Sequence, residues 1–519
     1  MSVGEEPTRG NFTLSGSVVN SVTGEPVPRA LVQIYMGPEQ AMLTDADGKF
    51  EFNNLPLGQT NIAVRKPGFL SEQETSPGQS PNMVETGPDA KPTTLKLTPE
   101  GVLLGRADSN GEPIEDLPVK VIALRIDQGR KYWEERGRTT TDEDGAFRIA
   151  NLSPGTYYIA AGPSFRRSQF APRSKSVQQG YAQGFYPAAS DIGGAMPIEV
   201  TAGQRVEADF SLKLVPVFHI SGVLTGIEPG LGVGLELVND SDVISMGMRF
   251  DAETGEFQTM ASAGPYRLQA WARGQNGESL KASVPLNVTS ALSGIRLALA
   301  PAISIPVRVK LERVAPENPD AGVFVFRRSD AFAPVNVRLI AAELSLRNSE
   351  VGAMRVQKPG APTELLLQDV APGKYSADVE PNFPWYVYSA RCGETNLLTE
   401  DLQVVTGVRP EPIEIVLRDD AAKMSAKVSS EGQPSRGVVL VIPDGAPRRT
   451  KSMFVSKGAE LQIQSLAPGE YSVLALDRVD GLEYTNPEAL SPYLSNAKHV
   501  ALQPHQEIEL NLELTRVHE

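Results

Sequence analysis

The sequence predicts an all-β chain laid out as five β-sandwich domains in tandem, and three observations carry this. Gly (46) and Pro (41) are plentiful, no long amphipathic helical run occurs, and many short apolar runs lie between turn residues. The stretch Thr141–Ala161 reads TDEDGAFRIANLSPGTYYIAA: a polar turn, a strand with Phe147 and Ile149 on one face, a Pro-Gly turn, and a second strand with Tyr157 and Ile159 alternating again. The same turn recurs with its glycine at 58, 155, 264, 373 and 469, at spacings of 97, 109, 109 and 96 residues. A repeat of that length can bury its own core, so it marks tandem domains rather than a solenoid.

In chain order, residues 1–11 read as a flexible lead-in. The first domain, 12–99, opens on alternating Leu14, Gly16 and Val18. It turns at Thr23–Pro26, repeats the polar turn at Thr44–Phe50, and carries its Pro-Gly reversal at Leu55–Gly58. The second, 100–215, opens at Val102–Ala107 and holds Thr141–Ala161. A long insertion follows at 162–195, with a basic loop (Arg166, Arg167, Arg173, Lys175). The third, 216–301, shows its turn pair at Asp251–Phe257 and Ala263–Tyr266. The fourth, 302–418, keeps Val370-Ala371-Pro372-Gly373-Lys374-Tyr375, and the fifth, 419–519, keeps Leu466-Ala467-Pro468-Gly469-Glu470-Tyr471. Four of the five place Tyr two residues after the turn glycine; the first has Thr60. In this reading each Pro-Gly turn sets the register of a hairpin.

A net charge of −14 disfavours nucleic acid and anionic membrane as general partners, and no apolar run reaches the length of a membrane span. No signal peptide is visible at the N-terminus. A single Cys392 excludes an intrachain disulfide.

The residues of common catalytic and metal centres are not arranged for chemistry. None of His219, His499, His505 and His518 has the HxxE or HExxH spacing of a zinc site, and no GxSxG is present. Ser495–Lys498 matches SxxK without its companion motifs, and Cys392 reads as a packed thiol. Asp45-x-Asp47-Gly48 and Asp142-x-Asp144-Gly145 could suggest calcium, but lack the further oxygen ligands and terminal Glu of an EF-hand loop. Asp and Gly are also what a tight turn requires. The aromatic clusters Tyr181, Phe185, Tyr186 and Phe383, Trp385, Tyr386, Tyr388 fit either sandwich packing or a surface on which sugar rings stack. No catalytic residue, metal or cofactor is expected; the ligand-contact candidates are Tyr181, Phe185, Tyr186, Trp385, Tyr386 and Tyr388.

The stretches SGSVVNSVTGEPVPRALV…TDADGKFEFNNLPLG and TDEDGAFRIANLSPGTYYIAA resemble the carboxypeptidase regulatory-like domain. Segments such as GFYPAASDIGGAMPIEV and VLVIPDGAPRR resemble parts of large multi-unit bacterial proteins of that group. The resemblance is best in the first repeat, good in the second, and rests on the Pro-Gly turn with its following Tyr in the rest. It implies seven-stranded, transthyretin-like (prealbumin-like) sandwiches of the carbohydrate-binding-like fold. It implies accessory status, because beside a metallocarboxypeptidase this module is not the catalytic part, and an extracytoplasmic location. Partners expected from this are a glycan or another surface protein. The alternative is an accessory subunit for a transporter, peptidase or glycosidase, bound through sheet edges.

Overall fold

A computed structural model of the chain describes residues 12–35, 40–75, 82–88, 90–164, 179–227, 232–239, 245–246, 248–274, 279–314, 335–342, 350–356, 364–405 and 408–517. Regular structure is almost entirely β-strand, the outcome that alternating apolar residues between Gly- and Pro-bearing turns demand. The helices among the described residues are single turns, as at Pro487–Leu490, and none is long and apolar enough to cross a membrane. The chain forms two compact units. One comprises Met1–Ala123, Glu135–Phe218 and Met260–Ala263; the other comprises Leu124–Glu134, His219–Thr259 and Gly264–Glu519.

In the first unit, strands Lys49–Leu55, Phe12–Asn20, Thr93–Pro99 and Phe69–Ser71 lie side by side in that order. A second sheet runs Gln40–Leu43, Leu31–Ile34, Gly58–Arg65, Met83–Thr86. Leu14, Val18, Phe50 and Phe52 from one sheet meet Val32, Ile34, Ile62 and Val64 from the other to form a core, the two-layer solution for strands that are apolar on one face. Further along this unit a second core gathers Leu103, Phe147, Ile149 and Phe210 against Val119, Val121, Tyr157 and Ile159.

The second unit repeats the plan. Ile305, Val307, Leu367 and Ile413 pack against Val337, Leu339, Tyr375 and Val404. Met424, Val428, Ile463 and Leu512 pack against Val439, Val441, Tyr471 and Val473. A smaller cluster, with Leu440 and Leu474 against Leu482, Tyr484 and Leu490, covers the outer face of that last sheet.

One pairing rule recurs at each turn glycine. The strand before the turn pairs antiparallel with the first strand of its repeat, as Leu14 with Phe52, Leu103 with Ile149, Ile305 with Leu367 and Met424 with Ile463. The last strand pairs with that same first strand in parallel, as Gly16 with Thr93, Val102 with Arg205, Gly222 with Ile295, Val307 with Ile413 and Lys423 with Glu507. The strand after the turn belongs to the opposite sheet, as in Val32 with Val64 and Val121 with Ile159. The Pro-Gly turn is therefore an arch from one sheet to the other, and the hairpin expected from sequence is corrected on this point.

The backbone shows why the chain crosses over. One extra residue enters the strand just before the arch, seen as a register shift between Phe12 and Leu14, Ile149 and Leu152, Ile303 and Ile305, and Ala422 and Met424. In these four bulges Asn54, Asn151, Asp369 and Ser465 stand at positive φ of 60°, 59°, 63° and 59°. The turn glycines follow at 150°, 156°, 151°, 159° and 150°, a backbone that residues with a Cβ rarely adopt.

Candidate functional site

The polar groups of the repeat are consumed by the repeat itself. The Tyr157 hydroxyl donates to the Ser153 carbonyl at 2.5 Å, Tyr375 to Ala371 at 2.9 Å, and Tyr471 to Ala467 at 2.8 Å. Each acceptor is the carbonyl two residues before the turn glycine, a group the arch takes out of the sheet ladder. Where the first repeat has Thr60 in place of Tyr, the equivalent Pro56 carbonyl accepts from Thr86 Oγ1 at 2.6 Å, offered by the neighbouring strand. A hydroxyl from a different residue satisfies the same buried acceptor. The tyrosine is legible in the sequence; the threonine substitute is not, since 26 residues separate Thr86 from Thr60.

The aspartate turns are built the same way. Asp45 Oδ1 accepts from the amides of Asp47 (2.9 Å) and Lys49 (2.8 Å), and Asp142 Oδ1 from Asp144 (3.0 Å) and Ala146 (2.8 Å). Gly145 sits at φ +70°, and a Cβ there would come within 2.5 Å of the Ala107 carbonyl oxygen. These are the bonds of an Asx turn. Among the described residues no three His, Cys, Asp or Glu side chains gather into a group able to hold a metal ion.

The six ligand-contact candidates fall in different surroundings. Tyr181 and Phe185 are buried and Tyr186 is half-buried, Tyr181 in and Tyr186 against the second core of the first unit. In the second unit Trp385 is half-buried against the core, while Tyr386 is 4% exposed and donates to Asp420 Oδ1 at 2.9 Å. Burial, with Asp420 beside it, pushes the Tyr386 phenol well above its ordinary value. Tyr388 is 54% exposed, with the Arg418 guanidinium 4.7 Å from its ring centre. Arg418 in turn grips the buried Asp420 at 3.1 and 2.5 Å, so one carboxylate ties together Tyr386, Arg418 and the segment leading to Ala422. Cys392 is buried, donates to the Glu411 carbonyl oxygen at 3.1 Å, and has its thiol pKa pushed up by burial, the environment of a packed thiol. The basic loop Arg166–Lys175 lies outside the described residues.

Sequence reasoning missed a concavity in the second unit. A cavity of about 780 Å³ is bounded by Arg130, by the strand around Asp378 and Glu380, by Tyr386, and by Arg448, Arg449 and Lys451. Arg130 is held there because its hairpin tip is pinned: Thr485 Oγ1 donates to the Gly129 carbonyl at 2.5 Å, and Lys131 Nζ lies 2.9 Å from Glu483 Oε2. Arg448 and Arg449 sit on a single 3₁₀ turn, Pro447–Arg449, whose Pro starts it. The run Pro447-Arg448-Arg449-Thr450-Lys451, basic in an acidic chain, is the one sequence feature that could have drawn attention here.

Residues 13–85 match the model of the carboxypeptidase regulatory-like domain family, the family whose motifs this stretch carries. A 153-residue region is 28% identical to Colossin-A of Dictyostelium discoideum, covering 27% of this chain and 1% of that protein. Among solved structures, the Bacillus anthracis TIE protein aligns with 56% of this chain and 50% of its own, at 13% identity and a TM-score of 0.18. GBS52, the minor pilin of Streptococcus agalactiae, aligns with 42% of this chain and 99% of its own, at 14% identity and a TM-score of 0.21. The shaft pilin SpaA of Lactobacillus rhamnosus GG aligns with 42% and 99%, at 12% identity and a TM-score of 0.21. The β-sandwich assignment rests on the strand pairing and cores described above.

Proposed function

We propose that this chain is a non-catalytic, multi-domain β-sandwich protein that works outside the cytoplasm as a structural arm carrying a surface for glycan or for another protein. The arm consists of five sandwiches with boundaries near 99, 215, 301 and 419. The observation that carries the reading is the recurring arch, where hydroxyls in four of the repeats, and the turn aspartates of the first two, serve backbone groups of their own repeat. Polar chemistry spent on the scaffold is what a spacer needs. The regulatory-like match over residues 13–85 supports an accessory role. The exposed Tyr388 supplies an aromatic face for stacking.

A second reading, an accessory subunit for a transporter, peptidase or glycosidase, is favoured by strand Lys451–Val455. It ends its sheet and presents Phe454 at 66% exposure, so an incoming strand could pair with its free edge. Glycan-array binding of the full chain, with Tyr388→Ala as comparison, tests the first reading. Turnover of peptide, ester or glycoside substrates by the purified chain would overturn both.

A further inference from the structure

Charge inside the cavity of the second unit does not balance. Of the three acids that line it, Asp378 and Glu380 are held by Arg338, at 2.5 and 3.3 Å, which leaves Glu400 beside four lining cations, Arg130, Arg448, Arg449 and Lys451; Arg448 is taken by Asp401. Arg130, Arg449 and Lys451 line the same cavity, and among the described residues none of these three makes an ion pair within 4.0 Å. Desolvation lowers the pKa of all three, and Arg449 depresses Lys451 further. Lys451 keeps solvent access at the mouth, while Arg130 and Arg449 are half-buried. Partly desolvated cations gathered with no carboxylate paired directly to them disfavour the folded state even with Asp378 nearby, and an anion seated among them reduces that cost.

We propose that this cavity binds a small oxyanion ligand, a phosphate ester or a polycarboxylate, with Arg130, Arg449 and Lys451 as its charge partners. Two guanidiniums offer planar pairs of donors to oxygens of one group, and the ammonium adds a compact third charge. Asn336, Ser376 and Thr450 around the same space provide neutral partners for the rest of the ligand. The volume of about 780 Å³ falls within the range of small-molecule sites, about 300–1,000 Å³. The site owes nothing to the chain's overall charge, which is −14, so recognition is local. It is also one the arm reading does not use, and its failure leaves that reading standing.

Isothermal titration calorimetry of the full chain at low ionic strength, with inorganic pyrophosphate in one arm and citrate in the other, tests the proposal. One-to-one binding of at least one probe is expected, and which of them binds separates phosphate from carboxylate recognition. Arg449→Gln and Lys451→Gln should each weaken that binding about tenfold or more, the loss of one charge-assisted contact. Arg516→Gln, an exposed arginine elsewhere in the unit, should leave it unchanged. Should Arg449→Gln not fold, Lys451→Gln and Arg130→Gln decide the matter. Failure of both probes to bind the wild-type chain overturns the proposal, as does equal binding by cavity variants and wild type.

Discussion

Replacing Tyr157 with Phe removes one oxygen from the arch at Gly155 and leaves the ring in place. That oxygen donates to the Ser153 carbonyl at 2.5 Å and lies 3.1 Å from Ser153 Oγ, in a side chain with 0% exposure. Apolar burial is unchanged, so the cost is that of a buried acceptor left without a donor, about 1–3 kcal/mol. A central value of about 2 kcal/mol is roughly a 30-fold shift in the unfolding equilibrium. Native-state hydrogen exchange reads this directly: amides of Ala146–Leu152 and Gly155–Ala161 should exchange about 30-fold faster, with those of Ala422–Ser430 unmoved. Tyr375→Phe and Tyr471→Phe, each losing one hydrogen bond of 2.9 or 2.8 Å, should cost nearer 1 kcal/mol, as a typical hydrogen bond does. A loss below about 0.5 kcal/mol for Tyr157→Phe, the range of a neutral surface change, refutes the reasoning. Equal acceleration in Ala422–Ser430 refutes independence of the cores.

Thr86→Val should destabilise the first repeat by about 1–2 kcal/mol, because its hydroxyl serves both Pro56 O (2.6 Å) and Gly58 O (3.0 Å). An unchanged denaturation midpoint would show that Thr86 does not replace the missing tyrosine. Glu483 gives a pH prediction. Burial raises its pKa, but hydrogen bonds from Lys131 and Asn486 outweigh this and hold it below the ordinary glutamate value. A carboxylate depressed in the folded state stabilises fully above its unfolded pKa and loses that contribution as pH falls through the folded one. The hairpin tip at Gly129 should therefore gain hydrogen-exchange mobility only in acid, as pH falls below the ordinary glutamate range, with at most about 1 kcal/mol at stake because Lys131 is largely exposed. The same gain at pH 7 in Glu483→Gln, and none in Glu488→Gln, would confirm the assignment; mobility independent of pH would exclude it.

The turn glycines, the aspartate turns and the inward Tyr of the repeat were legible because each is a local requirement printed in adjacent residues. The arch was not. A Pro-Gly turn between alternating strands reads alike whether the return strand joins the same sheet or the opposite one, and the choice is made by first-strand pairing such as Leu14 with Phe52. Asn54 and Asn151 carry a local hint of the bulge, since Asn tolerates positive φ, but Ser465 in the same role carries none. Alternation would set Tyr386 and Tyr388 on one face; a register shift between Val387 and Ser389 is what leaves Tyr386 inward and Tyr388 outward, and no residue type there announces it. The cavity was illegible for a simpler reason: Arg130 and Arg449 stand more than three hundred positions apart in the chain.

The parallel pairing of first and last strands has a mechanical consequence. Because the two strands run side by side in the same sense, Lys423–Ser429 against Glu507–Glu513 for instance, the chain enters at one end of the pair and leaves at the other. A pull on those two ends slides the strands past each other along their length instead of peeling them apart. The evenly spaced bonds of a parallel ladder are then strained together, so none fails before its neighbours have been loaded. The same geometry is present in the pairs Gly16–Asn20 with Thr93–Leu97 and Val307–Glu312 with Ile413–Arg418. Forced unfolding is governed by how fast such a pair ruptures, and a chain stretched between two anchors would draw tensile strength from this strand order.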